Sequence, residues 1–378
     1  MTKVRLPGTH RAVGPDTTWS RLSPQLSRYG ITRIADVTRL DDIGIPVVLA
    51  VRPASETLAV SQGKGASKIL AKLSAVMESI ELWHAERPPL EPFAAPAESL
   101  GLPYALTDLN LRTMGAWADK LRLSWVWTRP VLGGDPVPAP WDLVQLSYSG
   151  DHFTRPKIFH TSSTGLASGN TFTEACLHGM YEAIERDVLA GRESYGGNSR
   201  LLIDPRTIRD EHLVSLLDRL SRAGVEVHIT CLPNRFGVPT FTVLIWSPLF
   251  PVVCAGSGTH MDANVALSRA VTEAAQSRLT EISSTRDDIP SGFALPRDAC
   301  AAPGFRPHDE GIDFADAVRC QGGDFDDMEW ELKTVVGRVN DAVGHEPLVA
   351  DLSTQPDLFR VVRVVCPGLA YTEGRTLA

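Results

Sequence analysis

Short runs rich in β-branched and other apolar residues recur along the chain, at Val47 to Val51, Val225 to Leu232, Thr240 to Trp246, Pro251 to Ala255, Pro347 to Leu352 and Phe359 to Val365. Their length and composition predict strands. They alternate with longer segments, and three of these predict helices over residues 66–86, 171–191 and 263–283. This alternation places the fold in the α/β or α+β class, with mixed sheets and packed helices. The Pro- and Ala-rich passage from Arg87 to Leu102 and the stretch from Asp287 to Asp313 read as connectors or surface excursions. A chain of 378 residues can fold around one large core or two fused ones. We expect a single domain over 1–378, with 1–150 and 151–378 as candidate sub-units.

The helices look related to one another. With Gly65 set on Gly169, Ala71 falls on Ala175, Leu73 on Leu177, Glu78 on Glu182, Ile80 on Ile184 and Glu81 on Glu185. Thr272-Glu273-Ala274 in the third helix echoes Thr173-Glu174-Ala175 in the second. Helices rich in Ala and Glu also match by chance, so an internal duplication and a coincidence both stay open.

The polar positions of these helices gather into stripes. At about 100° per residue, Ser74, Glu78 and Glu81 fall within roughly 60° of one another. Asn170, Glu174, His178, Glu182 and Glu185 span roughly 120° of the second helix, with the three glutamates inside about 80° of it. One reading is a solvated acidic face. Against it, like charges three or four residues apart destabilise a helix, and neither stripe interleaves Lys or Arg. The flanking residues are also largely apolar or small: Leu73, Val76, Met77 and Ile80 on one helix, Ala175, Leu177, Met180 and Ile184 on the other. Helices this apolar outside one stripe are buried on most sides, which turns the carboxylates toward an enclosed space. Enclosed carboxylates need a cation or must protonate. Hard oxygen ligands without His or Cys suit Mg2+, which is held jointly by carboxylates and substrate phosphates and would point to a nucleotide; on spacing alone this reading and the solvated acidic face both stay open.

Composition removes other classes. A formal net charge of -8 and the absence of a basic run argue against a nucleic-acid binder. The first residues carry no apolar signal-peptide core, and no stretch approaches the roughly 18 apolar residues of a membrane span, so a cytoplasmic location is expected. The six cysteines, Cys176, Cys231, Cys254, Cys300, Cys320 and Cys366, include no C-x-x-C pair and read as reduced and mostly structural.

Taken in order, three groups of residues resemble the motifs of the YcaO family. They are Ser61-Gln-Gly-Lys-Gly65 with Ser74-x-x-x-Glu78-x-x-Glu81; Thr164-Gly-Leu-Ala-Ser-Gly-Asn170 with Glu174 and Glu182-x-x-Glu185-Arg186; and Thr272-Glu-Ala-Ala-Gln276. The resemblance covers roughly residues 8 to 368 and implies an ATP site without a Walker loop. Consistently, Gly63-Lys64-Gly65 runs on into Ala66-Ser67, not into a P-loop; these glycines form either a helix cap or a phosphate cradle. The resemblance further implies that Glu78, Glu81, Glu174, Glu182 and Glu185 hold Mg2+ and phosphate, and that Ser74 and Asn170 make polar contacts. It makes Arg186 a nucleotide-binding arginine, a bidentate donor to phosphate, with a salt bridge to Glu182 or Asp187 as its other reading. Arg11 and Thr18 match a short basic-and-hydroxyl pattern that touches the nucleotide, and Glu273 and Gln276 fill the remaining pocket positions. Arg278 fits the motif but points elsewhere on a regular helix. Glu78, Glu185 and Arg186 form the implied catalytic set. His178 reads as a proton carrier or as a hydrogen-bonded structural histidine.

What the family's chemistry implies is activation of a peptide backbone amide: a nucleophile adds to the carbon, ATP phosphorylates the oxygen, and phosphate departs. A side-chain nucleophile gives an azoline, sulfide a thioamide and an amine an amidine, in the maturation of a ribosomally made peptide. Azoline-forming members end in a proline-rich tail, whereas Cys366 to Ala378 contains one proline, which shifts weight to thioamide or amidine formation. The implied partner is a precursor peptide, joined by a separate protein for peptide recognition or sulfur delivery or by a second copy of the chain. A non-catalytic peptide-binding partner and another ATP-dependent ligase are the competing classes.

Overall fold

The computed structural model describes residues 2–112, 118–146, 158–191, 200–284, 304–305 and 308–371. Cys300, most of the stretch from Asp287 to Asp313 and the last seven residues of the tail therefore lie outside the described residues. Among those described are seven α-helices: α1 (Pro15–Leu22), α2 (Lys68–Glu86), α3 (Phe172–Ala190), α4 (Glu211–Arg222), α5 (Ala263–Ser283), α6 (Phe314–Val318) and α7 (Met328–Val343). The three predicted helices are α2, α3 and α5, and all six predicted strands are present, five with small shifts at their ends or none and Pro251 to Ala255 as part of a longer strand, Phe250–Thr259. The supposed connector from Arg87 to Leu102 contains a further strand, Phe93–Pro96, which pairs with Arg122–Pro130. Its Pro- and Ala-rich composition hid an edge strand, a position in a sheet where proline is tolerated.

The described strands form four antiparallel sheets of two, three, four and six strands. The six-stranded sheet takes Arg122–Pro130 from before residue 150 and Leu166–Gly169, Leu348–Asp351 and Arg360–Val365 from after it, so the two candidate sub-units share a sheet. Each long helix follows a strand at the edge of one of the three larger sheets: α2 follows Val60–Lys64, α3 follows Leu166–Gly169 and α5 follows Phe250–Thr259. A polar side chain caps each helix start, with Ser67 accepting from the Leu70 amide, Thr171 from the Glu174 amide and Asp262 from the amides of Asn264 and Val265.

Close packing makes these three units alike. A Cβ added at Gly63 would lie 2.0 Å from the Ala75 nitrogen and 2.2 Å from the Ala71 oxygen of α2. At Gly169 it would lie 2.5 Å from the Ala175 nitrogen of α3, and at Gly256 2.3 Å from the Ala274 nitrogen of α5. A side-chain-free strand position against an alanine-lined helix lets each helix settle onto its own strand. The glycines around Lys64 thus serve helix packing, and a Cβ at Gly65 would lie 2.9 Å from the Ala71 nitrogen, the counterpart of the contact between Gly169 and Ala175, so the residues matched in the sequence alignment occupy equivalent contacts.

Val47–Val51 shows how the units fuse. Its residues are apolar on both faces because both are covered: Val48 and Ala50 pack in the cluster containing Ala71, Ala75 and Val76 of α2, while Val47 and Leu49 pack against Leu279 of α5. The five described cysteines are free, and only Cys320 is exposed. No described helix is long and apolar enough to cross a membrane.

Two glycine substitutions separate packing from helix propensity. Gly63→Ala should destabilise the protein by about 2 kcal/mol or more, because backbone on α2 must move. Gly337→Ala, in α7 with open space around its Cβ, should stabilise it by about 0.5–1 kcal/mol. Chemical denaturation checks both; equal effects of one sign would contradict the packing account.

A candidate active site between three helices

The acidic stripes of α2 and α3 and one face of α5 open onto a single cavity of about 560 Å3. All twelve side chains assigned from the sequence line it: Arg11, Thr18, Ser74, Glu78, Glu81, Asn170, Glu174, Glu182, Glu185, Arg186, Glu273 and Gln276. Six of them are carboxylates. Four cationic side chains share the lining, namely Arg11, Arg186 and two that the sequence reading left without a role, Lys64 and Arg269.

The N-terminal segment closes one side. Thr18 donates to Asn170 Oδ1 at 2.8 Å, while the Asn170 amide nitrogens, backbone and side chain, donate to Glu174 Oε2 at 2.9 and 3.1 Å. The Ala12 backbone N–H reaches the same oxygen at 3.3 Å, and Arg11 lies 3.6 Å from Glu174 Oε1. One oxygen of Glu174 is thus committed to the protein and the other faces a guanidinium. Arg11 also donates to His178 Nε2, whose ring contacts the Ser168 carbonyl through Nδ1 at 3.0 Å. A carbonyl only accepts, so Nδ1 carries the proton and Nε2 is the acceptor for Arg11. Burial, with Arg11 and Arg269 nearby, holds His178 well below the usual imidazole range. His178 is thus hydrogen-bonded within the protein while lining the cavity.

The floor of the cavity is acidic. Glu81 accepts from the Ser168 hydroxyl, yet burial pushes its carboxyl up to about 8, with Glu78 and Glu182 adding repulsion. Glu182 accepts from the Gly165 amide at 3.2 Å and stands 3.8 Å from Arg186. Burial still lifts it above the usual carboxylate range. Glu185 is raised by burial and by its neighbour Glu273, and accepts from Ser257 at 2.9 Å. Burial pushes Glu273 upward too, but Lys64, its ion-pair partner, and Arg186 more than offset this and hold it low. The Ser257 hydroxyl lies 3.3 Å from Glu273 and so bridges the two acids. Asp187 does not pair with Arg186; it binds Arg235 at 3.0 Å on the far side of α3. Arg278 also points away, into a buried pair with Asp41.

Among the described residues, no three His, Cys, Asp or Glu side chains converge closely enough to enclose a metal ion by themselves. The donor set nevertheless fits Mg2+ that is shared with another ligand. It offers several carboxylate oxygens from two helices, on a cavity floor where burial raises Glu81, Glu182 and Glu185 above the usual carboxylate range and a cation would offset that cost.

The geometry agrees with comparisons to known proteins. Residues 62–370 match the family model described as YcaO cyclodehydratase, ATP- and Mg2+-binding. The chain belongs to the YcaO family. An uncharacterized protein of Mycobacterium tuberculosis is 36% identical over 371 residues, covering 97% of this chain and 83% of that protein. An uncharacterized protein in the tfuA 3′ region of Rhizobium leguminosarum bv. trifolii is 35% identical over 388 aligned residues, 95% of this chain and 88% of the other. In structure, YcaO from Methanopyrus kandleri bound with AMPPCP and Mg2+ matches with a TM-score of 0.73 at 22% identity, covering 98% of this chain and 95% of that one. A heterocyclase in complex with substrate and cofactor matches with a TM-score of 0.76 at 19% identity; 98% of this chain spans 55% of its length. These structural likenesses establish the mixed α/β fold.

The raised carboxyls make stability depend on pH. An unfolded glutamate loses its proton near 4.5, whereas Glu81 keeps its own to about 8. Between these values the folded protein binds a proton that the unfolded chain does not, so stability falls as pH rises. Glu81→Gln keeps an acceptor for Ser168 without the charge. Thermal unfolding in a chelating buffer from pH 5 to 9 should show a steeper decline for the native protein than for Glu81→Gln; parallel curves would contradict the assignment.

Proposed function

We propose that the cavity binds ATP with Mg2+ and that the protein phosphorylates the oxygen of a backbone amide in a ribosomally made precursor peptide, giving a thioamide, an amidine or an azoline. The observation that carries this reading is the convergence of six carboxylates and four cationic side chains from three helices, the strand Val60–Lys64 and the N-terminal segment on one cavity. Glu78, Glu81, Glu174, Glu182 and Glu185 supply oxygen ligands for Mg2+, whose remaining positions suit water and phosphate oxygens. Arg186 and Arg11 supply donors to phosphate, with Ser74, Thr18, Asn170, Glu273 and Gln276 completing the nucleotide contacts.

The bound metal supplies charge neutralisation for phosphoryl transfer, a reaction that asks a protein mainly for positioning and electrostatics. This cavity suits that work: its six acids, with Arg186 and Arg269, sit on α2, α3 and α5, helices held by capping and glycine contacts, so their geometry is set before the substrate arrives. The balance is simple. A nucleophile adds to the amide carbon, the amide oxygen takes the γ-phosphoryl group, and the C–O bond breaks. ADP and orthophosphate leave, the latter carrying the amide oxygen. A purely peptide-binding partner would have no use for a buried acidic floor, which disfavours that class.

Titration with Mg2+ and AMPPCP tests the nucleotide half. Glu185→Gln and Arg186→Ala should each weaken binding by roughly 10- to 100-fold, the loss expected of a charged hydrogen bond worth about 1.5–3 kcal/mol; unchanged affinity would remove these residues from the site. Oxygen-18 placed in the target amide of the precursor peptide tests the other half. It should emerge in orthophosphate, and its retention in ADP-forming turnovers would mark a different ligase.

A further inference from the structure

The segment that carries Arg11 and Thr18 into the cavity is fastened at two distant points. Near the cavity the ties are those of Ala12, Arg11 and Thr18 to Glu174, His178 and Asn170. At the other end, the Lys3 backbone amide donates to the Asp326 carbonyl at 3.0 Å, and the Lys3 ammonium pairs with Glu331 Oε2 of α7 at 2.7 Å. Both side chains of that pair are 2% exposed. The second oxygen of Glu331 accepts from the Tyr181 hydroxyl at 2.7 Å, and Tyr181 stands on α3 between His178 and Glu182, at the flank of the acidic stripe. One buried carboxylate therefore joins the N-terminal segment, α7 and the helix that bears three of the cavity's six acids.

The neighbouring ties are of another kind. Arg5 pairs with Asp324 and Asp326 in the open, where water and salt screen the attraction and exposed pairs contribute little. A desolvated ammonium cannot shift without leaving both its own charge and Glu331 uncompensated. That fixes the register of the hairpin Val4–Leu6 and Thr9–Arg11, and with it the reach of Arg11.

We propose that Lys3 is a positioning residue for the nucleotide site: its buried ion pair with Glu331, itself held by the Tyr181 hydroxyl, keeps the N-terminal segment in the register that delivers Arg11 to the phosphates. This rests on the nucleotide reading above. A lysine with only a structural role would lower thermal stability and leave affinity alone, so the informative quantity is coupling to Arg11.

Dissociation constants for AMPPCP with Mg2+, measured well below the unfolding temperature, are compared for the native protein, Lys3→Met, Lys3→Arg, Arg11→Ala and the Lys3→Met/Arg11→Ala double variant. Lys3→Met should weaken binding by about tenfold and Lys3→Arg by less than about threefold. The double variant should match Arg11→Ala within roughly twofold, because Lys3 acts through Arg11. Native-like affinity in Lys3→Met, or losses that multiply in the double variant, would overturn the proposal. If Lys3→Met does not fold, Glu331→Gln replaces it with the same expectations. Absence of AMPPCP binding by the native protein would sink the nucleotide reading instead. The anchoring would then be read from hydrogen exchange at the Ala12 amide, which should quicken in the Lys3 variants; an unchanged rate there also overturns it.

Discussion

Buried carboxylate charge is the constraint around which this molecule is arranged. Glu81, Glu182 and Glu185 lie in the floor of one cavity, where loss of water pushes each toward its protonated form. Hydrogen bonds from Ser168, Gly165 and Ser257 soften that cost without removing it. Four cationic side chains against six carboxylates leave the lining acidic when all are ionised. Such a surface is stable when it holds protons or when something positively charged enters. A protein that keeps it has traded stability for a place to put a cation.

The fold supplies the means. Three edge strands each run into a capped helix, and glycines at Gly63, Gly169 and Gly256 let α2, α3 and α5 press onto their own strands. That contact sets the rotation of each helix. Turning α2 or α3 by one residue would carry the acidic stripe away from the cavity and an apolar face into it, so the alanine-on-glycine contacts decide where the glutamates point. Membership of the YcaO family then gives the acidic cavity its chemical meaning.

Much of this was readable from the chain. Helical periodicity alone groups Glu78 with Glu81 and Glu182 with Glu185, because i, i+3 spacing survives into any regular helix. Lys64 was in view inside its motif but carried no role until the fold brought α5 against its strand and paired it with Glu273. Arg269 stands one turn before Glu273, a spacing that could have revealed it. Ser168 was also in view inside its motif without a role, and Ser257 had no such signal: they sit on strands far in sequence from Glu81 and Glu185, and only the packing of strand on helix joins them. The strand Phe93–Pro96 was hidden by prolines, and Lys3 by its distance of more than three hundred residues from Glu331.

The central claim is that the acidic floor gives up its protons to a cation carried with a nucleotide. Ligands of Mg2+ must be deprotonated, so binding and proton loss are linked. Calorimetric titration of Mg2+ and AMPPCP at pH 7, repeated in buffers of different ionisation enthalpy, reads that proton count directly. The account predicts net release of protons in the native protein and a smaller release in Glu81→Gln. Binding with no proton release, or with uptake, would contradict it.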